Sequence, residues 1–443
     1  MADAPTIFAL SSAPGRAGVA VVRVSGPQAG DLIDALAPPR PKKRFAALRR
    51  IRDPQTGETL DEALVLWFAA PRTETGEDMA EFHLHGGAAI IKGVLAALGR
   101  HPGCRLAEPG EFARRAFHNG KLDLAQVEGL ADLIEAETEA QRRQALNQMR
   151  GALSDLYEGW RAELLRASAL VEAAIDFSDE GDVANDAFET ARKMVGELKA
   201  AIAVHLEDGN RGEILRDGFR VVLAGPPNAG KSSLLNALAR REAAIVSEEA
   251  GTTRDAIEVR LDLDGLPVIV TDTAGIREPQ GAVEREGIRR TLEHAREADL
   301  VLWLSDASAP PVAPPPDVSA DGDKFFLSLA SKIDIPGASP GARMLGVSAK
   351  TGAGLPELIR RLAGIARERL GDLSSPAITR ERYRNQLQAC KGALEQFMSL
   401  DSSEHELRAE DLRIAAQAMG RITGRVDVED VLGEIFARFC IGK

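Results

Sequence analysis

Eight residues near the middle of the chain, Gly225-Pro226-Pro227-Asn228-Ala229-Gly230-Lys231-Ser232, leave the backbone around them little choice. The pattern is GxxxxGK[ST]. Its glycines let successive N–H groups turn inward onto an anion, its lysine reaches the bound phosphates, and its last hydroxyl is placed to ligate Mg²⁺. The surrounding residues supply the required context. Phe219 to Ala224 reads as a short buried strand and Ser232 to Ala239 as a helix opening, so strand, loop and helix follow in order. A glycine-rich surface turn, the alternative, has no use for that order. Asn228, Ala229, Gly230, Lys231, Ser232 and Ser233 are the candidate phosphate-loop contacts, with Ser232 also a candidate Mg²⁺ ligand.

Four later segments narrow the nucleotide. Gly251-Thr252-Thr253 lies in a polar stretch where a segment sensing a γ-phosphate would offer Mg²⁺ a second hydroxyl, and Thr253 is the candidate ligand. An apolar strand from Val268 ends in Asp272-Thr273-Ala274-Gly275. Asp272 can hold the water shell of Mg²⁺, and the Gly275 N–H can meet the γ-phosphate. Strands at Leu300 to Leu304 and Phe325 to Leu329, separated by a proline-rich loop, lead to Ser331-Lys332-Ile333-Asp334. Asp334 is placed to accept both N–H groups of a guanine edge, which would reject adenine because a site built to pair a group suffers when that group is missing. Ser348-Ala349-Lys350 adds a backbone N–H for the guanine oxygen. The ordered set predicts a GTP-binding α/β domain over residues 217–366.

Two positions depart from the usual pattern. Ser331 stands where asparagine is customary, a shorter tether that predicts weaker GTP binding. Ile276 stands where many small GTPases carry the glutamine that orients the attacking water. Glu284, a few residues on, reads either as an indirect water-orienting group or as a solvated helix carboxylate.

A chain of 443 residues is too long for one core and suggests about three domains. No basic, apolar leader opens it and no stretch is long enough to span a bilayer. Cys104, Cys390 and Cys440 are far apart without metal-ligand spacing, which fits a reduced cytoplasmic protein. The net charge of −12 argues against a surface that grips nucleic acid everywhere. One basic cluster stands out, Arg40, Lys42, Lys43, Arg44, Arg49, Arg50 and Arg52, for which a solvated loop is the favoured reading and a local RNA contact the alternative.

The first 118 residues read as an α+β domain, with strand-like runs at Val19 to Val24, Ala63 to Phe68 and Ala80 to His85, and helical spacing at Ile90 to Leu98. Along the last strand Glu81, His83 and His85 share a face; a metal site is one reading and satisfied polar groups the favoured one. Residues 122–210 change character, with apolar positions such as Leu146, Met149, Leu153, Leu156 and Trp160 at helical spacing, and the same texture resumes from Ile378. The economical architecture is a helical bundle built from both flanks, with the GTP-binding domain inserted through exposed hinges near Asp217-Gly218 and Gly371 to Pro376. The expected domains are 1–118, 119–216, 217–366 and 367–443.

Longer matches carry a resemblance. Pro14-Gly15-Arg16-Ala17-Gly18-Val19, Pro109-Gly110-Glu111-Phe112, Asn119-Gly120-Lys121-Leu122-Asp123, the phosphate loop with Ser233-Leu234-Leu235-Asn236, Ala250-Gly251-Thr252-Thr253-Arg254-Asp255, and the end Phe439-Cys440-Ile441-Gly442-Lys443 resemble the MnmE (TrmE) family of tRNA wobble-uridine modification GTPases over essentially the whole chain. The resemblance implies an amino-terminal folate-binding and dimerisation domain, a discontinuous helical bundle and a Ras-like α/β GTP-binding domain. It also implies a homodimer that joins the flavoprotein MnmG in a heterotetramer and adds an aminomethyl-type group, such as carboxymethylaminomethyl, at C5 of the wobble uridine of tRNA. Matching positions put a one-carbon tetrahydrofolate of the 5-formyl type at Arg23, Glu81 and Lys121, where two cations suit its oxygens and a carboxylate suits the pterin N–H edge. They put K⁺ at Asn228, Ser247, Glu249 and Thr252, with Glu248 and Ala250 in the nucleotide site, and make Glu284 the catalytic water-orienting residue. Cys440 matches a family cysteine, catalytic or inert.

Two rivals share the nucleotide motifs. A GTP-switched ribosome-assembly factor needs neither the folate positions nor the Cys-Ile-Gly-Lys end. A membrane-remodelling protein would want an amphipathic or basic membrane segment, and the helical regions offer none.

Overall fold

Period-two alternation in the first part of the chain and near-continuous apolar strands in the middle produce two different sheets. The computed structural model describes residues 4–442 apart from 177–180, 209, 242, 246–257, 273–297, 311, 316–324, 342, 373–374, 401–403, 427–428, 438 and 440. Residues 1–131 with 420–443 form one compact unit, and residues 132–419 form another.

In the first unit, β1 (Thr6–Leu10), β2 (Ala17–Ser25), α1 (Ala29–Leu36), β3 (Ala47–Arg52), β4 (Thr59–Phe68), β5 (Met79–Gly86), α2 (Ala88–Gly99), β6 (Cys104–Leu106) and α3 (Glu111–His118) follow in order. The sheet runs β3-β4-β5-β2-β1-β6 and is antiparallel except where β1 meets β6. Alternate residues Val22, Val24, Val65, Phe82 and Leu84 bury one face against Leu32, Ile33 and Leu36 of α1 and Val94 and Leu98 of α2. The helix Glu429–Ala437 joins this unit late in the sequence. Its Phe436 packs with Phe439, Ala113 and Val127, and Gly110, at φ +66°, sits so close that a Cβ there would lie 2.6 Å from the Phe436 carbonyl oxygen. Pro109 bridges to Ile441, and the Ser11 hydroxyl donates to the Gly442 carbonyl at 2.8 Å.

The second unit begins with helices. After α4 (Leu124–Glu135), which crosses from the first unit, α5 (Glu139–Met149) opens on a capping box in which Thr138 and Gln141 satisfy each other's backbone N–H groups. Leu146 and Met149 do not continue into the helix of Leu153, Leu156 and Trp160. Gly151, at φ +98°, breaks the path, and α6 (Ala152–Asp176) starts anew. α6 and α7 (Gly181–Leu206) run along each other, with Tyr157, Leu164, Val171, Val195 and Ile202 buried. The short α8 (Arg211–Asp217) then leads into the second sheet.

That sheet comprises β7 (Phe219–Ala224), β8 (Glu258–Leu263), β9 (Leu266–Asp272), β10 (Leu300–Asp306), β11 (Phe325–Ser331) and β12 (Leu345–Gly346), in the order β12-β11-β10-β7-β9-β8. All pairs are parallel except β8 with β9. Leu234, Leu235 and Leu238 of α9 (Lys231–Ala239) and Leu358 and Leu362 of α10 (Leu355–Leu370) share its core with Phe219, Leu223, Val270, Leu302 and Leu329. Because the strands are parallel, the carboxyl ends of β7, β9, β10 and β11 gather at one edge, the usual place for a ligand in an open α/β sheet.

The chain returns to helices through α11 (Glu381–Ser399) and α12 (His405–Thr423). The two crossings into and out of the sheet domain lie side by side. Arg211 donates to the Asp372 carbonyl at 3.2 Å, Arg216 to the Thr379 carbonyl at 2.7 Å, and the Ile378 N–H to the Asp208 carboxylate at 3.1 Å. The turn between β8 and β9 also meets α5, with the Ala140 N–H donating to the Gly265 carbonyl at 3.0 Å. Among the described residues no helix is long and apolar enough to cross a membrane.

Candidate functional site

Short-range geometry shapes the phosphate loop. Gly225 has φ +143°, and a Cβ there would collide with the Leu304 carbonyl oxygen of β10; Gly230, at φ +93°, starts α9. Asn228 also takes a left-handed backbone, at φ +60°. Lys231 is almost fully buried and its ammonium donates to two carbonyls of its own loop, Gly225 at 2.8 Å and Pro226 at 3.0 Å. Burial pulls its pKa below the usual lysine value, with Asp272 opposing that shift. A phosphate on the loop would replace those neutral carbonyls with a stronger partner.

The Ser232 hydroxyl donates to Asp272 at 2.6 Å, and Asp272 is wholly buried at the end of β9. A hydroxyl beside a buried carboxylate is an all-oxygen donor set that suits a hard cation such as Mg²⁺.

The residues that the sequence reads as guanine contacts come together at the ends of β10 and β11. Ser331 is buried and its hydroxyl donates to the Ala229 carbonyl of the phosphate loop at 2.6 Å, with the Ser305 carbonyl at 3.2 Å. Lys332, at φ +59°, pairs with Asp306 at 2.7 Å. Lys332, helped by Ser308, holds the Asp306 carboxyl down at about 2. Asp334 accepts from the Ser348 hydroxyl at 2.7 Å, which lowers its pKa, so its carboxylate is ionised and available as an acceptor. Ser348 is buried, and its loop with Ala349 and Lys350 is closed by the Thr351 N–H on the Ser348 hydroxyl and the Ser348 N–H on the Ala353 carbonyl.

Ser247, Glu248, Glu249, Ala250, Gly251, Thr252, Thr253, Thr273, Ala274, Gly275, Glu284 and Cys440 lie outside the described residues. Asp306 escaped the sequence reading, although it ends an apolar strand just as Asp272 does, and that repetition was the available signal.

In the first unit, Arg23 and Glu81 are register partners across β2 and β5, 3.4 Å apart at their charged tips. Arg23 also pairs with Glu74 at 2.8 Å and lies over the buried Phe112 ring. Lys121 is exposed, and its side chain passes beside Gly76 in the loop that carries Glu74. Arg23 and Lys121 thus border one loop, Glu81 joins them through Arg23, and Glu74 is an unforeseen fourth. That loop is fastened by Glu77, which accepts from Arg115 and from the Ser25 hydroxyl, and by Asn119, which donates to the Thr75 carbonyl. His83 turns to Glu81 and His85 to Asp61, and among the described residues no cluster of His, Cys, Asp and Glu is able to hold a metal ion. Each strand histidine thus has a carboxylate partner, with the His85 side chain largely exposed.

Residues 124–440 match the family described as MnmE helical domain, and residues 6–121 match the one described as GTP-binding protein TrmE N-terminus. The curated tRNA modification GTPase MnmE of Beijerinckia indica subsp. indica is 53% identical over 438 residues, covering 99% of this chain and 96% of its own. That of Methylorubrum populi is 53% identical over 440 residues, covering 99% and 98%. Among solved structures, an Era variant from Aquifex aeolicus bound to GDP·AlF4⁻ is 24% identical and covers 42% of this chain and 68% of that one, with a TM-score of 0.26.

Proposed function

The chain belongs to the MnmE family of tRNA modification GTPases, and from that premise we propose that it is a K⁺-activated GTP hydrolase acting with a flavoprotein partner of the MnmG kind on the wobble uridine of tRNA. The observation that carries the nucleotide part is the convergence of Lys231, Ser232, Asp272, Ser331 and Asp334 on one sheet edge, with the phosphate loop fastened to the guanine strand through Ser331 and Ala229. In this reading the phosphate loop and Lys231 bind the phosphates, Ser232 and Thr253 ligate Mg²⁺, Asp272 orders its water, and Asp334 selects guanine. Bound Mg²⁺ would neutralise charge growing on the phosphates. Asn228, Ser247, Glu249 and Thr252 would hold K⁺, and Glu284 would orient the attacking water where Ile276 replaces the usual glutamine.

Arg23, Glu81 and Lys121 are read as contacts of a one-carbon tetrahydrofolate in a homodimer. Their chemistry fits: cations for its carboxylate and carbonyl oxygens, a carboxylate for its N–H edge. In this reading residues 1–118 carry folate, 119–216 and 367–443 form the helical domain, and GTP turnover in 217–366 moves that domain rather than reacting with tRNA. In this reading the work is done in the cytoplasm.

Two measurements test the reading. GTP hydrolysis is expected to be many-fold faster in K⁺ than in Na⁺, and Glu284→Ala should keep nucleotide affinity while losing the stimulated turnover; equal rates in the two salts would overturn the K⁺ role. Mass spectrometry of tRNA from cells lacking the protein should show loss of the wobble modification. Intact tRNA with defective ribosomes would favour the assembly-factor alternative.

A further inference from the structure

The seven cations crowded between residues 40 and 52 meet different fates in the structure. Arg40 is taken up by Asp31 and Asp34 and covers the Trp67 ring, and Arg50 pairs with Glu62 at 2.7 Å. Arg44 donates to the Arg72 carbonyl and Arg49 to the Pro39 carbonyl, so both are anchored without being neutralised. Lys42, Lys43 and Arg52 are exposed and have no carboxylate partner among the described residues. Among the described residues, one edge of an acidic protein therefore carries Lys42, Lys43, Arg44, Arg49 and Arg52 without a carboxylate partner.

Protection of a sheet edge explains part of this. β3 is the last strand of its sheet, and cations along such a strand discourage another strand from adding to it. That accounts for Arg50 and Arg52, which alternate outward with Leu48. It does not account for Lys42, Lys43 and Arg44, which lie in the turn before the strand. The turn is fixed in place: the Arg44 N–H donates to the Trp67 carbonyl at 2.8 Å and the Phe45 N–H to the Lys42 carbonyl at 3.1 Å.

Edge protection is equally silent about Phe45, 67% exposed, and Leu48, 65% exposed and facing Leu64 in the register. Holding an aromatic ring in water among unneutralised cations has a cost that a plain solvated loop would avoid by carrying a polar residue instead. The combination matches what single-stranded or looped RNA requires, cations for phosphates and a π face for an unstacked base. A second copy of this chain fits less well, because a two-fold contact centred there would set the same cations against themselves.

We propose that the turn 42–45 and the outer face of β3 form an RNA-docking surface that takes the phosphate backbone of tRNA and stacks one unpaired base on Phe45. The proposal rests on the reading that tRNA is the substrate, and adds to it which part of this chain makes contact.

The test uses the full chain with GDP and a fluorescein-labelled, unmodified tRNA transcript bearing uridine at the wobble position. Binding is followed by anisotropy over a range of salt. Neutralising Lys42, Lys43 and Arg52 together to alanine should reduce the steepness of log affinity against log salt by about 2 to 3, and weaken binding at physiological salt between about tenfold and a hundredfold. Phe45→Ala should weaken binding about five- to a hundredfold with the slope unchanged, as expected for loss of a stacking platform. A control that removes Arg166, Arg192 and Lys193, exposed cations on α6 and α7, should leave both quantities as in the parent.

A circular-dichroism spectrum and a melting curve equal to the parent's show that the first unit of each variant is folded. A slope and affinity equal to the parent in the triple variant, or a parent that binds no tRNA by itself, overturns the proposal. Unchanged tRNA binding with an altered oligomeric state assigns the surface to a protein contact instead. Retained docking together with intact wobble modification in cells lacking the protein would refute the substrate reading and leave the RNA surface standing.

Discussion

The hydroxyl of Ser331 and the carbonyl of Ala229 lie 2.6 Å apart, which fastens the end of β11 to the phosphate loop. A hydroxyl has one hydrogen, so the Ser305 carbonyl at 3.2 Å cannot be served at the same time. The customary asparagine has two N–H donors. Serine in this position keeps the tether that shapes the loop and gives up the second bond. Ser331→Ala should therefore weaken GDP and GTP alike, by about 1 kcal/mol or roughly fivefold, and leave guanine-over-adenine preference with Asp334. Ser331→Asn should bind at least as tightly as the parent. Titration with fluorescent nucleotides checks this, and an alanine variant of parental affinity would contradict it.

Acid should loosen the helical part of the second unit through His205. Burial lowers the pKa of this imidazole below its usual 6.5, and the ring lies 3.1 Å from the buried Tyr157 hydroxyl. Because the folded pKa is below the unfolded one, the unfolded chain binds more protons in the interval between them. Stability is then complete above about pH 6.5 and declines as the pH falls below that value. Thermal unfolding between pH 7.5 and 5 should show a smaller decline in His205→Gln than in the parent.

Arg384 stands at the root of the inserted sheet domain, pairing with Asp208 at 3.1 Å and lying 3.5 Å from Glu213. Asp208 is almost fully buried and also accepts from the N–H groups of Asn210 and Ile378. Removing one partner of such a pair leaves a buried charge, at about 3 to 5 kcal/mol. Arg384→Met should lower the melting temperature of the second unit by roughly 5 to 10 °C in calorimetry. Adding Asp208→Asn should recover part of that loss, whereas two independent surface changes would simply add.

Gly442 has φ +100°, and a Cβ there would collide with the Leu10 carbonyl oxygen. Gly442→Ala should detach the segment that ends at the Ser11 contact and expose Phe436 and Phe439, seen as faster proteolysis near residues 429–439. Nucleotide affinity, which belongs to the other unit, should not change.

What the sequence made legible was mostly local. Gly225 and Gly230 have to be glycine for the loop to turn, and the alternation of Glu81, Phe82, His83 and Leu84 defines a strand with one buried face. The break at Gly151 stayed hidden because Leu146, Met149, Leu153 and Leu156 remain in helical phase across it, and periodicity cannot tell one helix from two that abut. Long-range partners were hidden for a different reason. Arg23 with Glu74 and Lys332 with Asp306 are joined only when distant segments fold together, and a charged residue carries no sign of which opposite charge it will meet.

The late helix Glu429–Ala437 also gives the protein a schedule. Ala113 and Phe117 of α3 are made early, while the side chains that cover this region, Phe436 and Phe439, leave the ribosome only after the whole of residues 132–419. At synthesis speeds of roughly 5–20 residues per second, that interval lasts on the order of a quarter of a minute to a minute. During it, the nascent first unit presents an unfinished apolar seam. It is over this interval that binding by a chaperone would matter most, and a stalled ribosome would leave the seam open.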